Sequence, residues 1–432
     1  MRVSPVLNRV SQQENRLIEN CAVLHQLRHV QCRLWSLRKG ADAWCDCRTF
    51  SFERAGKTGQ TGLGADDVAP APVLLSILNA SVLMKAALLE TYRAEPKLAN
   101  VPDPACPRDG VIVGVRACGV CRSDHHAWQG ADPDVELPHV MGHEFSGEVI
   151  EVGADCHRFQ VGDRVTAPFI LGCGHCPDCQ TGQPTVCNKQ QVIGFSFWGA
   201  FAEAVAIPHA DYNLVRLPET VSFEDAAGMG CRVTTAWRAL TDRAGLKPGE
   251  WVVVHGCGGV GLSAILIAAA LGARILAVDV SEAALAQARL MGANETLNVS
   301  GIRDVGAVVR DITEGGAHVS LDALGVSATF DNSLRSLRKL GRHIQVGMPV
   351  GDHAAVTLPL LELVYARQLS LHGMRGLGAT GFPALFDMIS AGRLNLGGLV
   401  TRTLPLSQLG SALREMDGTQ PAGVTVINRM TA

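Results

Sequence analysis

The run Trp251-Val-Val-Val-His255 passes directly into Gly256-Cys-Gly258-Gly259-Val260-Gly261 and then into an apolar, helix-forming stretch that lasts to Leu271. A second apolar run, Ile275-Leu-Ala-Val-Asp279, follows and ends on an acid 18 residues after Gly261. A bare G-x-G-x-x-G says little. Set between a strand and a helix, with an acid closing the next strand, it dictates a βαβ unit and therefore a parallel sheet. The glycines let a pyrophosphate approach backbone N–H groups at a helix N-terminus, where the dipole favours anions. Asp279 is placed to bond the ribose hydroxyls of a dinucleotide and to repel a 2′-phosphate. Because Val280 rather than an arginine follows it, NAD is preferred over NADP. The competing reading of Asp279 is a helix N-terminal acid ahead of Ser281.

The same alternation continues. The pattern predicts a helix near 281–291, a strand at 318–322, a helix near 328–340 and a strand at 343–347. A helix over 237–246 precedes the turn Lys247-Pro-Gly-Glu250, and another covers 382–391. This is the rhythm of a doubly wound α/β sheet. Val346, Gly347 and Met348 close a strand on the edge where such sheets bind ligands. Before it, Gly142-His-Glu-Phe-Ser-Gly-Glu-Val-Ile-Glu-Val-Gly153 and its surroundings alternate apolar residues with glycines at reversals, which predicts a small, irregular β-barrel-like domain.

Two stretches carry ligand chemistry. In Gly172-Cys173-Gly-His-Cys176-Pro-Asp-Cys179, followed by Cys187, four cysteines stand in a Gly/Pro-rich loop at spacings of 3, 3 and 8. Four thiolates close a tetrahedral zinc site with no position left for substrate, so this lobe, 172–188, reads as structural. His175 is a competing ligand the set does not need. The second stretch places Cys121, Ser123, Asp124 and His126 within six residues and then His143-Glu144. Cysteine and histidine are the side chains zinc favours, and a hydroxyl beside an imidazole makes a proton relay. Alone, Cys121 reads equally well as a buried small hydrophobe and His143 as a strand histidine.

Length and composition set the frame. A chain of 432 residues exceeds a single core. Its 14 cysteines are clustered as metal ligands rather than spread as a disulfide framework. A net charge of −3, with no basic stripe, gives no reason to expect nucleic acid or an anionic membrane as partner. The apolar run 70–84 is too short for a membrane helix, and residues 1–20 lack a signal-peptide h-region. A cytoplasmic enzyme is expected. Residues 1–83, with scattered arginines, an intermittent helical period over 12–38 and the pair Cys45-x-Cys47, read as an N-terminal extension, disordered or a mis-set start; the regular pattern begins at Met84.

With these pieces in view, residues 84–432 resemble the zinc-dependent alcohol dehydrogenases of the medium-chain dehydrogenase/reductase family. The resemblance rests on Cys-x-Ser-Asp-x-His at 121–126, Gly-His-Glu-x-x-Gly-x5-Gly at 142–153, the four-cysteine lobe and the dinucleotide fingerprint. It implies an α/β fold in which a Rossmann doubly wound cofactor domain, 232–372, is inserted in a β-rich, GroES-like (irregular barrel) catalytic domain, 84–231 and 373–432. It implies two zinc ions per chain: a structural one on Cys173, Cys176, Cys179 and Cys187, and a catalytic one on Cys121, His143 and Cys231, the last supplied by Gly228-Met-Gly-Cys-Arg. A glutamate at the Cys231 position would mark sorbitol- and threonine-type members, so the chain leans to the alcohol type.

Glu144 matches an acid beside the metal that replaces bound water in some members. Asp124 matches the partner that orients the ligand histidine, and Arg375 the arginine that pairs with the cofactor pyrophosphate. The implied activity is reversible NAD-linked oxidation of an alcohol to an aldehyde or ketone, with Ser123 taking the hydroxyl proton and His126 passing it on. Polyol, aromatic-alcohol and glutathione-adduct dehydrogenases use the same residues. A non-catalytic NAD- and zinc-binding protein would have no need of the intact relay. The small-molecule substrate is an alcohol or aldehyde, and a homo-oligomer is implied, tetramer over dimer.

Overall fold

A computed structural model describes residues 83–418 and 423–431. The helical period over 12–38 and the Cys45-x-Cys47 pair lie outside the described residues. Regular structure begins with the strand Leu83–Leu89, which pairs antiparallel with Lys97–Pro102. The sequence pattern does not mark that partner strand.

The β-rich part is built on a seven-stranded sheet whose centre is Val111–Val120, paired antiparallel with Glu144–Val152 on one side and Val424–Arg429 on the other. The N-terminal half of the chain thus shares a sheet with its last strands. Everything between 251 and 373 in the second sheet is an insertion.

That second sheet has six strands, all parallel, in the order Glu295–Asn298, Arg274–Asp279, Trp251–His255, Ala317–Asp322, Leu337–Gln345, Ser370–Gly373. Its central strand Trp251–His255 is buried at every position, as expected where helices cover both faces. The helix Gly259–Ala270 starts at Gly258 and packs flush on this strand. A Cβ on Gly261 would lie 1.8 Å from the Gly256 carbonyl oxygen, so only glycine lets helix and strand approach this closely.

Three expectations need correction. The helix expected at 237–246 is Phe223–Arg238, prolonged by a wider turn over Ala239–Arg243. Ser222 caps it by accepting from the Asp225 N–H. Gly228 and Gly230, poor helix formers, hid its first half. The helix expected at 328–340 is Ser327–Arg335. Leu337 already pairs with Ala317, and Leu340 sits at φ 63°, a left-handed bend that a helix excludes. The strand then ends at Gln345, so Val346, Gly347 and Met348 follow it rather than close it. The helix Phe223–Arg238 is broken by a kink at Gly230 (φ 0°, ψ −110°), next to the 231/232 position given to the domain boundary.

Candidate active site

The two cysteine–histidine sets come together as groups. Cys173, Cys176, Cys179 and Cys187 place their sulfurs within 4.8 Å of one another. Cys173 Sγ is 4.0 Å from Cys179 Sγ, and Cys176 Sγ is 3.6 Å from Cys187 Sγ. Thiolates about 2.3 Å from one tetrahedral ion lie about 3.8 Å apart, so the set fits a zinc ion, and none of these cysteines is in a disulfide. His175 turns its Nδ1 to the Cys173 carbonyl at 2.8 Å, away from a ligand role. Backbone N–H groups, that of His175 foremost, pull the Cys173 thiol down to about 6 despite desolvation.

The second set is Cys121, His143, Glu144 and Cys231, again within 4.8 Å. Asp124 organises half of it. Its Oδ2 accepts the Cys121 N–H at 2.8 Å and its Oδ1 meets His143 Nδ1 at 3.0 Å. His143 is therefore left with Nε2 buried and without a protein partner. A buried nitrogen in that state is costly unless it ligates something. Two sulfurs and one imidazole nitrogen are a zinc donor set, so the residues fit the ion. The Cys231 sulfur shares its proton with Cys121, which holds Cys121 well below the usual thiol range and raises Cys231 well above it.

Glu144 is the fourth group, and the protein occupies it. Its Oε1 accepts the Cys231 N–H at 3.0 Å, while Oε2 lies 3.0 Å from Arg232 Nη1. Although that contact is short, neither atom has hydrogen-bond geometry to the other, and both are buried without another partner; the pair is an ion pair rather than a bond. Burial pushes the Glu144 carboxyl up to about 8 against the pull of Arg232. Gly230 makes room for it: a Cβ there would lie 2.4 Å from Glu144 Cβ. Arg232 also donates through Nη2 to the Val120 carbonyl. One guanidinium thus contacts the neighbours in sequence of Cys121 and His143, and itself follows Cys231.

A cavity of about 560 Å³ opens from this cluster. Cys121, Ser123, His126, His143 and Cys231 line it, and so do Val260, Gly347, Met348 and Arg375. Gly256, Gly258, Gly259, Gly261 and Asp279 are not among its lining residues. Both Asp279 oxygens take a backbone donor, Cys257 N–H at 2.7 Å and Ser281 N–H at 2.9 Å, so the acid ties the fingerprint turn to the next helix. Phe169, Val192 and Phe195 are apolar members of the lining, and the two phenyl rings stand edge-on to His143 at 5.7 and 5.4 Å. His126 has a buried, unpartnered Nδ1, and burial, then Arg122, lower its pKa.

Comparison with known proteins gives the family. The alcohol dehydrogenase GroES-like domain model matches residues 107–219, and the zinc-binding dehydrogenase model matches 259–391. An alcohol dehydrogenase of Geobacillus stearothermophilus is 35% identical over 298 residues, 68% of this chain and 84% of its own length. An NAD-dependent alcohol dehydrogenase of Sulfurisphaera tokodaii is 32% identical over 80% of this chain and 99% of its own. The solved structure of an alcohol dehydrogenase from Thermus sp. ATN1 superposes with a TM-score of 0.72 at 31% identity, covering 80% of this chain and 100% of that one. The chain belongs to the zinc-dependent alcohol dehydrogenases of the medium-chain family.

In this dehydrogenase, sequence reading missed Arg232, Thr235 and Arg238. Thr235 lines the cavity with a buried hydroxyl that has no partner. The two arginines, 5% exposed each, carried a signal: charged residues inside a run of otherwise small and apolar ones, Gly228 to Trp237 and just beyond. Lys and Arg are rarely fully buried unless paired. No helix among the described residues is long and apolar enough to cross a membrane.

Proposed function

We propose that this dehydrogenase carries two zinc ions per chain and uses NAD, rather than NADP, to oxidise alcohols with apolar substituents to aldehydes or ketones. The carrying observation is that Cys121, His143 and Cys231 converge in the lining of a cavity that Val260 of the fingerprint and Val346–Met348 also line, with the competing acid Glu144 already engaged. When bound, zinc on these three ligands supplies a Lewis acid for the substrate oxygen, and NAD supplies the hydride acceptor. The chain's own residues do the rest. Ser123 receives the hydroxyl proton, and His126, kept neutral below the usual imidazole range by burial, passes it on. Phe169, Val192 and Phe195 form an apolar wall that offers a substrate's further hydroxyls no hydrogen bond, which favours apolar substituents against that wall.

Val260, Gly347 and Met348 border the dinucleotide, Arg375 pairs with its pyrophosphate, and Asp279 with Val280 disfavours a 2′-phosphate. The domain division stays at 84–231 with 373–432, and 232–372. Four closely set free thiols suit the reducing cytoplasm. The outer edge of Ser370–Gly373, with Leu361 and Tyr365 exposed nearby, supports a homo-oligomer, tetramer over dimer. The test is a panel of aliphatic, aromatic and polyhydroxy alcohols assayed with NAD and with NADP, beside zinc content per chain. NAD-linked turnover of apolar alcohols with two zincs is expected; preference for polyols, for NADP, or a single zinc overturns the corresponding part.

A further inference from the structure

The four-cysteine lobe has no part in the chemistry above, yet a buried arginine joins it to the cavity. Arg238 ends the helix that carries Cys231. Its Nη2 donates to Gln183 Oε1 at 2.5 Å and its Nη1 to Thr185 Oγ1 at 2.7 Å, both in the lobe between Cys179 and Cys187. The same Nη1 reaches the Gly376 carbonyl at 3.3 Å and that of Arg375 at 3.5 Å. Arg375 and Gly376 line the cavity, where the chain crosses back from the parallel sheet to the β-rich sheet.

That crossing is held on one side by Met374 and Leu377, whose side chains are buried in the core with Phe382 and Leu385. Met374 N–H bonds the Gln345 carbonyl at 3.0 Å, but residues 375–377 make no hydrogen bond to another backbone group among the described residues. The backbone of Arg375 and Gly376 rests on the other side, toward the lobe. A Cβ on Gly378 would lie 2.6 Å from Pro184 Cγ, and one on Gly376 3.2 Å from Phe169 Cε1, so Pro184 and Phe169 pack directly on this backbone. Phe169 in turn stands edge-on to His143.

We propose that Arg238 is a positioning residue that makes the four-cysteine lobe a buttress of the dinucleotide cleft: the lobe, ordered by its thiolate ligands, sets the position of Arg375–Gly376 and through it the affinity for NADH. A guanidinium has five rigidly forked donors and no acceptor. Buried, it fixes whatever oxygens face it, and taking away one partner leaves donors unsatisfied and the others free to shift. The lobe is then more than a stability device. Loosening it weakens cofactor binding while the ligands of the second metal set stay in place.

This rests on the NAD reading, and the test separates the two. NADH is titrated by fluorescence into the metal-loaded protein and into Arg238→Met, Arg238→Lys and Thr185→Val, with zinc per chain and the KM and kcat for NAD measured in parallel. Arg238→Met is expected to raise the NADH Kd about 5- to 100-fold, Thr185→Val to raise it less but in the same direction from outside the cavity, and Arg238→Lys to recover part of the loss. The KM for NAD should follow while kcat at saturation moves by about twofold or less, with two zincs retained. If Arg238→Met does not fold, Thr185→Val decides. A Kd within about twofold of the parent in the folded variants, or a fall in kcat alone, overturns the proposal. Absence of NADH binding by the parent protein overturns the NAD reading instead.

Discussion

Arg232 Nη1 lies 3.0 Å from Glu144 Oε2, with the side chains 7% and 0% exposed. Burying two opposite charges is repaid only when each has further partners. Here Glu144 also accepts the Cys231 N–H and Arg232 donates to the Val120 carbonyl. The pair does structural work on the metal set from both sides. In the proposed site it would also set how many ligands a zinc ion meets. Glu144 is one of four groups within 4.8 Å, and four would close a tetrahedral site, while three leave a position open.

Arg232→Met takes away the charge that opposes burial at Glu144, whose carboxyl then keeps its proton to still higher pH. It is expected to cost about 1–3 kcal/mol of stability in urea unfolding, because Glu144 and the Val120 carbonyl lose that partner. Arg232→Met with Glu144→Gln should recover part of that loss. Strictly additive effects of the two substitutions would show that the residues are not coupled.

Asp124 is buried and holds Cys121 and His143 through different oxygens. Asp124→Asn replaces one of those acceptors with a donor. The expected result is a loss of about 10- to 100-fold in affinity for the second zinc or in turnover, seen as one zinc per chain after mild chelation, with the four-cysteine lobe still loaded. Cys231→Ser should abolish turnover and leave NADH binding nearly intact; alcohol oxidation retained by that variant excludes Cys231 as a ligand.

Much of this site was legible because ligand chemistry restricts residue type. Four cysteines at short spacing, and glycines where backbones touch, leave their mark in the letters themselves. Gly261, against the Gly256 carbonyl, is such a case. Arg232 and Arg238 were not legible in the same way. Their partners are Glu144 and backbone carbonyls, or Gln183 and Thr185, residues more than fifty positions away that only the packed fold brings near. The helix Phe223–Arg238 was misplaced for a related reason: contact with Glu144 demands glycine at 230, and packing against Val400 demands it at 228, against helix propensity. Apolar walls such as Phe169 and Phe195 carry no signature that separates them from ordinary core.

His126 yields a pH prediction. Burial, and next the charge of Arg122, lower its pKa from 6.5. The relay needs the neutral ring, so the acid limb of kcat/KM for alcohol oxidation should fall below pH 6.5 rather than above it. The sign for stability agrees: below 6.5 the unfolded chain binds more protons at this site than the folded one, so the group's contribution grows as pH rises through that window. Arg122→Gln removes a positive charge and should move the limb upward, though not past 6.5, because burial is the larger cause. A limb above 6.5 in the parent protein would remove His126 from the relay.

Asp279 distinguishes a cofactor role from a scaffold role. Its carboxylate ties Cys257 N–H to Ser281 N–H, and each oxygen keeps capacity for a further donor. Asp279→Asn retains one acceptor oxygen for that tie but removes the charge. If the acid also selects the cofactor, the ratio of kcat/KM for NADP to that for NAD should rise about 10-fold or more, since a 2′-phosphate no longer meets a carboxylate. If the acid serves only as scaffold, both cofactors lose equally and the ratio stays where it was. Steady-state kinetics with the two cofactors at matched alcohol concentration gives the answer, and the melting temperature of the variant reports separately whether the turn at Cys257 has loosened.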